Sequence, residues 1–259
     1  MWNLQPPTFN PVAFAVVRRN LLVWRRLIGP AILMNFGEPT LYLLGLGYGL
    51  GMFIGEMQGM SYIAFLASGI IASSTMTSAS FEGTYSVFTR MVTQRTHEGM
   101  LATPIEVDDL IAGEIIWCGV KGMFSTIAIL LVTLLLGEVQ SPAALFAIPI
   151  GFVIGLVFAG PAIAVSAVSP GYDFFNYYFI LCITPMFMVS GVFFPITGLP
   201  EAMQTAVHFL PLIHAVELVR PLVAGQPLHS PLLHLAVLLL YAMAGYYLAV
   251  VLSRRRLLV

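Results

Sequence analysis

Charge is what this chain of 259 residues has least of: Asp, Glu, Lys and Arg make up 9% of it, against roughly a quarter in an average globular chain. That is too few polar side chains to coat a water-soluble core of this size. With 59% hydrophobic residues and a mean hydropathy of +0.92, most of the surface must face lipid. A net charge of −1 leaves no global field for nucleic acid. Lysine occurs once, as Lys121 in Gly119-Val120-Lys121-Gly122. The G-x-x-x-x-G-K-[ST] loop that cradles nucleotide phosphates is therefore missing, and any work done with ATP has to come from a partner. There is no G-x-S-x-G elbow and no H-E-x-x-H. His97, His208, His214, His229 and His234 are scattered and read as packed or interfacial residues rather than metal ligands. Cys118 and Cys182 lie in apolar runs without C-x-x-C spacing and read as small membrane-helix residues. No catalytic residue, metal or bound cofactor is expected. Residues 1–11 hold no apolar stretch with a basic leader and a cleavage site, so the first hydrophobic helix is expected to be retained.

Long apolar runs are abundant. A span needs about 20 mostly apolar residues, and six segments qualify: 30–53, 62–80, 112–136, 142–168, 174–194 and 231–252. The fold class is thus an all-α membrane protein of six transmembrane helices. Ser141-Pro142 and Ser230-Pro231 place a capping hydroxyl before a proline at the first helical position. Thr103-Pro104-Ile105-Glu106 reads as a capping box, with Asp108 and Asp109 following where the helix dipole favours them, so the third helix should begin outside the lipid. Arg18, Arg19, Arg25 and Arg26, then Arg90 and Arg95, then Arg254, Arg255 and Arg256 alternate with connections carrying Glu56, Glu138 or the single Arg220. This asymmetry puts both termini in the cytoplasm. Residues 11–28 mix apolar side chains with paired arginines and read as an amphipathic interfacial helix. Residues 193–228 stay apolar but are broken by Pro195, Pro200, Pro211, Pro221 and Pro227, which reads as an outer re-entrant helical hairpin between spans five and six. No internal repeat is visible, so a closed pathway needs a second copy.

A charge inside a span is costly unless paired or hydrated. Glu82, Glu114 and Lys121 read either as a structural network joining helix ends or as a gate on a pathway. Glu38, before Pro39, is a helix-start acid or a pathway residue. Gly45, Gly47, Gly49, Gly51 and Gly55 allow close helix contact, within one subunit or at a dimer seam. Tyr172, Phe174, Phe175, Tyr177 and Tyr178 form either an interfacial aromatic belt or a stacking surface for a sugar-bearing substrate. Of these, Glu38, Tyr172, Phe175, Tyr177 and Tyr178 are the candidate pathway residues.

The run Arg90-Met91-Val92-Thr93-Gln94-Arg95-Thr96-His97-Glu98-Gly99-Met100-Leu101 resembles the coupling-helix loop of type-2 ABC exporter permeases. Ser190-Gly191-Val192-Phe193-Phe194-Pro195, Phe209-Leu210-Pro211-Leu212-Ile213-His214 and Arg220-Pro221 resemble that family's outer re-entrant region. Arg18-Arg19-Asn20, Val23-Trp24-Arg25-Arg26 and Tyr42-Leu43-Leu44-Gly45-Leu46-Gly47 are similar to its nodulation-protein J branch. The resemblance covers essentially the whole chain as one transmembrane domain, with residues 88–110 as the cytoplasmic coupling loop. It implies a homodimer in the bacterial inner membrane, bound to two copies of a separate ABC ATPase that uses ATP and Mg. It also implies outward movement of an amphiphile: a lipo-oligosaccharide, polysaccharide, lipid or drug. Arg95, Thr96, His97, Glu98, Gly99, Met100 and Leu101 would couple to the ATPase. The competing reading is a passive channel or scaffold without a motor.

Overall fold

The computed structural model describes residues 5–26 and 28–258, and for 30–35 and 38 the backbone alone. Helix α1 (Ala13–Arg25) buries Ala13, Val16 and Asn20, three residues spaced to share one face. That face lies on α6 at Gly113, where a Cβ would stand 2.6 Å from both Ala13 O and Val16 Cβ. Helix α2 (Ile28–Tyr42) continues through a π-helical turn (Leu43–Tyr48) into α3 (Gly49–Ile54). Of the glycine ladder, Gly47 and Gly51 approach Ile63 within the same chain, whereas Gly45, Gly49 and Gly55 have nothing within 4 Å of a built Cβ. A two-stranded antiparallel hairpin follows, β1 (Glu56–Met57) with β2 (Met60–Ser61). Its turn residues Gln58 (φ 53°) and Gly59 (φ 75°) both take the left-handed backbone that matches strand twist.

Ser61 accepts from Ala64 N at 3.1 Å and opens α4 (Tyr62–Phe81). The second span does not end near residue 80 as the sequence suggested: the helix runs on through π-helical turns to Thr93, 32 residues in all. At 1.5 Å per residue that is about 48 Å against a hydrocarbon core of about 30 Å, so its last turns extend beyond the hydrocarbon. Arg95, at φ 50°, then turns the chain into the short α5 (Thr96–Leu101). The expected capping box does not form. Thr103 Oγ1 donates to Met100 O at 2.6 Å, closing α5, and α6 (Val107–Leu135) starts from an extended Glu106 without a side-chain cap. Pro104, which has no N–H, separates the two helices.

Ser141 does cap, accepting from Ala143 N at 3.1 Å ahead of a 3₁₀ turn (Pro142–Phe146) and α7 (Ala147–Val168). Ser230 does not: it sits in the left-handed region at φ 47° and its hydroxyl bonds no helix N–H. The fifth apolar helix comprises α8 (Phe174–Tyr178), a π-helical turn (Phe179–Ile183) and α9 (Thr184–Val189), and stops five residues short of the expected end at 194. Helices α10 (Glu201–Val207) and α11 (Pro211–Ala224) meet at 87°, and α12 (Pro231–Leu257) closes the chain.

Among the described residues, four helices are long and apolar enough to cross a membrane (Tyr62–Thr93, Val107–Leu135, Pro142–Val168 and Pro231–Leu257), or five if the bent pair is one span. Pro39–Ile54 and Phe174–Val189 are shorter apolar helices. The molecule is an all-α helical membrane protein built around α7, which packs on α4, α6 and α12. Backbone contact is closest where glycines cross: a Cβ on Gly155 would lie 2.7 Å from Gly119 Cα, and one on Gly160 would lie 2.4 Å from the Gly245 carbonyl carbon. Thr75 and Thr126 hydroxyls meet at 2.8 Å where α4 crosses α6.

Candidate coupling site

Glu114, two turns into α6, is fully buried, and donors from three other elements converge on it. Arg90, at the far end of the α4 helix, donates Nε to Oε1 (2.9 Å) and Nη2 to Oε2 (2.7 Å). His97 of α5 donates Nε2 to Oε1 (3.1 Å), and Asn20 of α1 donates Nδ2 to Oε2 (2.9 Å). Arg90 also gives Nη1 and Nη2 to Glu82 Oε1 (3.1 Å each), and Glu82 further accepts from Trp117 Nε1 (3.0 Å) and Ser86 (3.1 Å). One guanidinium thus bridges two carboxylates, a geometry its planar fork suits and an ammonium does not. Arg19 stands at the edge, donating to Asn20 Oδ1 at 2.9 Å. Burial first and Arg90 second push Arg19 below the ordinary arginine value, with Glu114 opposing.

In a low-dielectric surround charge-assisted bonds are stiff and leaving one unmade is costly. The joint therefore ties α5, through His97, to α6, and with it to α1 and the α4 helix. The two faces of α5 differ accordingly. His97 is buried, whereas Arg95, Glu98 and Gly99 are exposed, Arg95 and Glu98 forming a loose 3.8 Å pair. Met100 and Thr96 are half-buried and line a cleft of about 420 Å³ shared with Val16 and Arg19 of α1. Leu101 is half-buried against the core.

Of the charged trio expected from sequence, Glu82 and Glu114 come together and Lys121 does not: its Nζ stands 5.5 Å from the Trp24 ring centroid. The Glu38 side chain lies outside the described residues. Tyr172 donates or accepts with Thr89 (2.8 Å) and Thr93 (3.0 Å), and those bonds lower its phenol below the ordinary value. Phe175 is fully buried, edge-on to Tyr85 and Phe88. Tyr177 is exposed and Tyr178 half-buried.

From sequence, Arg90 reads as a topology signal and as part of the coupling-loop resemblance but not as a partner of Glu114, and no bonding role is expected of Asn20 or Trp117. A signal for Arg90 existed: Glu82, Ser86 and Arg90 recur every four residues and share one helix face once the helix is continued past residue 80. The terminal arginines also do more than orient. Arg254 of α12 pairs with Asp108 through both Nε (2.6 Å) and Nη2, while Thr8 N (2.8 Å) binds the same carboxylate and Asn10 N (3.0 Å) binds Asp109, strapping the N-terminal segment onto α6. At the opposite end Arg220 of α11 is buried, donating to Ser68 (3.0 Å) and Gly191 O (2.7 Å) with its guanidinium 3.7 Å from the Phe65 ring centroid. The histidines are less scattered than they look in sequence. His214 Nε2 donates to His208 O (2.9 Å), which leaves its Nδ1 to accept from His234 Nδ1 at 2.8 Å. Among the described residues no group of three or more side chains could hold a metal.

Residues 12–223 match the family model described as ABC-2 type transporter. The chain is 43% identical to nodulation protein J of Rhizobium leguminosarum bv. viciae over 244 residues, 94% of each chain. It is 41% identical to nodulation protein J of Rhizobium meliloti (strain 1021), over 94% of this chain and 93% of that one. It is 26% identical to the inner membrane transport permease YadH of Escherichia coli (strain K12), over 77% of this chain and 76% of that one. The buried polar joint, the apolar helices and these relationships lead to one assignment: the chain belongs to the ABC-2 type transporter family and is the membrane-spanning permease subunit of an ABC transporter whose ATP is hydrolysed by a separate ABC ATPase.

Proposed function

We propose that the chain is one half of a homodimeric exporter of the bacterial cytoplasmic membrane, with two ABC ATPases below it and an amphiphile as its cargo. One observation carries the coupling part: the fully buried Glu114 ties His97 of α5 to α1 and to two long helices. Residues 88–110 are the cytoplasmic coupling loop, 11–28 the interfacial helix and 193–228 the outer re-entrant region. Each copy crosses the membrane six times, with α2–α3 and α8–α9 as spans one and five. The 87° bend between α10 and α11 favours their dipping into the outer leaflet rather than crossing it. ATP closes the motor domains, α5 moves, and the Glu114 joint carries that movement into the helices that part the two copies. Kinship with nodulation protein J favours a lipo-oligosaccharide among the cargo classes, and the exposed Tyr172 and Tyr177 offer rings on which a sugar can stack.

Gly99 supplies the test of docking. It is exposed on α5 with nothing within 4 Å of a built Cβ, so Gly99→Arg leaves the permease fold intact. It places a bulky cation where the ATPase must seat, and capture of the ATPase should fall at least about tenfold. Normal capture by a stable Gly99→Arg permease removes α5 as the docking element. Topology is read by cysteine labelling of intact cells in a Cys182→Ser background: the exposed Gln226→Cys should react from outside and the exposed Thr93→Cys should not. The reverse pattern inverts the orientation.

A further inference from the structure

Two histidines meet where the α10–α11 hairpin leans on α12. His214 is buried near the start of α11 and His234 half-buried near the start of α12, with their Nδ1 atoms 2.8 Å apart and their ring centroids 5.1 Å apart. A carbonyl can only accept, so the 2.9 Å bond to His208 O fixes the proton of neutral His214 on Nε2 and makes its Nδ1 an acceptor. His234 must then donate through Nδ1. One proton added to the pair is tolerated: taken up at His234 Nε2, it leaves the Nδ1–H donating as before. A second can enter only at His214 Nδ1, the accepting atom. Two N–H groups then point at each other, and two cations face across a contact of hydrogen-bond length. The surroundings offset this little. Of the elements packed on α11, α4, α7 and the 3₁₀ turn carry no charged residue. Helix α6, which packs on α12, carries no charge beyond Lys121, and its Asp108 meets Arg254 at the opposite end of α12. His208 and Glu217, both exposed, stand close enough to act on His234, and the exposed His229 precedes α12. Arg220, further along α11, is turned onto Ser68 of α4. Glu217 is the carboxylate among these groups, and its exposure to water weakens its pull.

We propose that the His214–His234 pair is an acid-sensitive latch between the α10–α11 hairpin and α12, which holds the bend in place while the pair carries at most one proton and releases it with two. Release is more than the loss of one bond. When His214 swings away, its bond to His208 O goes with it, and Tyr241, which donates its hydroxyl to Phe209 O, is left to hold the bend to α12. The latch is closed at neutral pH and opens as pH falls through the second protonation, in the range where histidine alone among unperturbed side chains changes charge. That the acid sensed is that of the outside rests on the topology proposed above. The latch itself does not, and its test needs neither membrane nor ATPase, so the two readings fail separately.

The full-length chain in detergent, in a Cys182→Ser background, is spin-labelled at Met203→Cys on α10 and Leu232→Cys on α12, both exposed positions. The label-to-label distance is measured by pulsed electron resonance at about pH 7.5 and about pH 5, a window that spans the ordinary histidine range and leaves carboxylates ionised. With the histidine pair intact, one distance should dominate at the higher pH. A second, longer one should take about half of the molecules or more at the lower, and should vanish when the pH is restored. His234→Asn separates the latch from mere packing. Its amide can donate to His214 Nδ1 or, turned over, accept from it, and it carries no charge, so the hairpin should stay closed at both pH values. Replacing both exposed histidines, His208→Gln with His229→Gln, should leave the acid response as it was. An unchanged distance in the chain with both latch histidines, an acid response that survives His234→Asn, or its loss in the double glutamine variant would each overturn the proposal.

Discussion

Glu114→Ala should destabilise the permease by about 3–5 kcal/mol, because it leaves the Arg90 guanidinium buried beside a single remaining carboxylate. Arg90 loses two charge-assisted bonds to Glu114, and His97 and Asn20 lose their acceptor. Thermal unfolding in detergent reads the loss directly. Glu114→Gln keeps the shape and one acceptor oxygen but not the charge, and should fall between alanine and wild type. The pair Glu114→Ala and Arg90→Met should cost much less together than the sum of each alone, since the second change removes the charge that the first left unpaired. Strict additivity would mean that the two side chains do not act as a unit.

The second large effect belongs to the crossing of α7 and α12. Gly160→Leu pushes a side chain into the Gly245 backbone, where even a Cβ would lie 2.4 Å from the carbonyl carbon. Neither backbone can yield locally, so the helices must part, and the cost is about 3 kcal/mol or more. Gly99→Ala is the control: its Cβ meets nothing, and alanine is the better helix former, so stability should hold or rise by up to about 1 kcal/mol. Equal melting temperatures for the two variants would contradict the packing described for α7.

The helices themselves were legible because apolar length is a property of composition, and lipid leaves the backbone few alternatives to a helix. Helix ends were less so. Thr103 through Glu106 satisfies the capping-box pattern, yet the hydroxyl is used backwards, on Met100 O, because α5 needs closing first. Span two looked finished at residue 80 since the sequence turns polar there. Its polar residues are instead absorbed by bonds made inside the bundle, from Glu82 to Trp117 and from Arg90 to Glu114. Lys121 groups with Glu82 and Glu114 in the sequence as a charge inside a span, and that cost alone does not say which partner it finds. Seven residues rise about 10.5 Å, further than a salt bridge from that register can span, and Trp24 holds the ammonium where it stands. Contacts between distant segments left no trace at all: nothing local predicts that Asn20 reaches Glu114, that Arg254 clasps Asp108, or that His214 meets His234.

This permease should move its cargo only when a separate ATPase drives it. Proteoliposomes holding the chain alone, the ATPase alone or both are loaded with a fluorescent lipo-oligosaccharide, and its crossing between leaflets is followed with and without ATP and Mg. Crossing should occur only with both proteins and ATP, and the chain alone should hydrolyse no ATP, having no phosphate-binding loop lysine. Crossing by the chain alone, at the same rate with and without ATP, would instead make it a passive conduit.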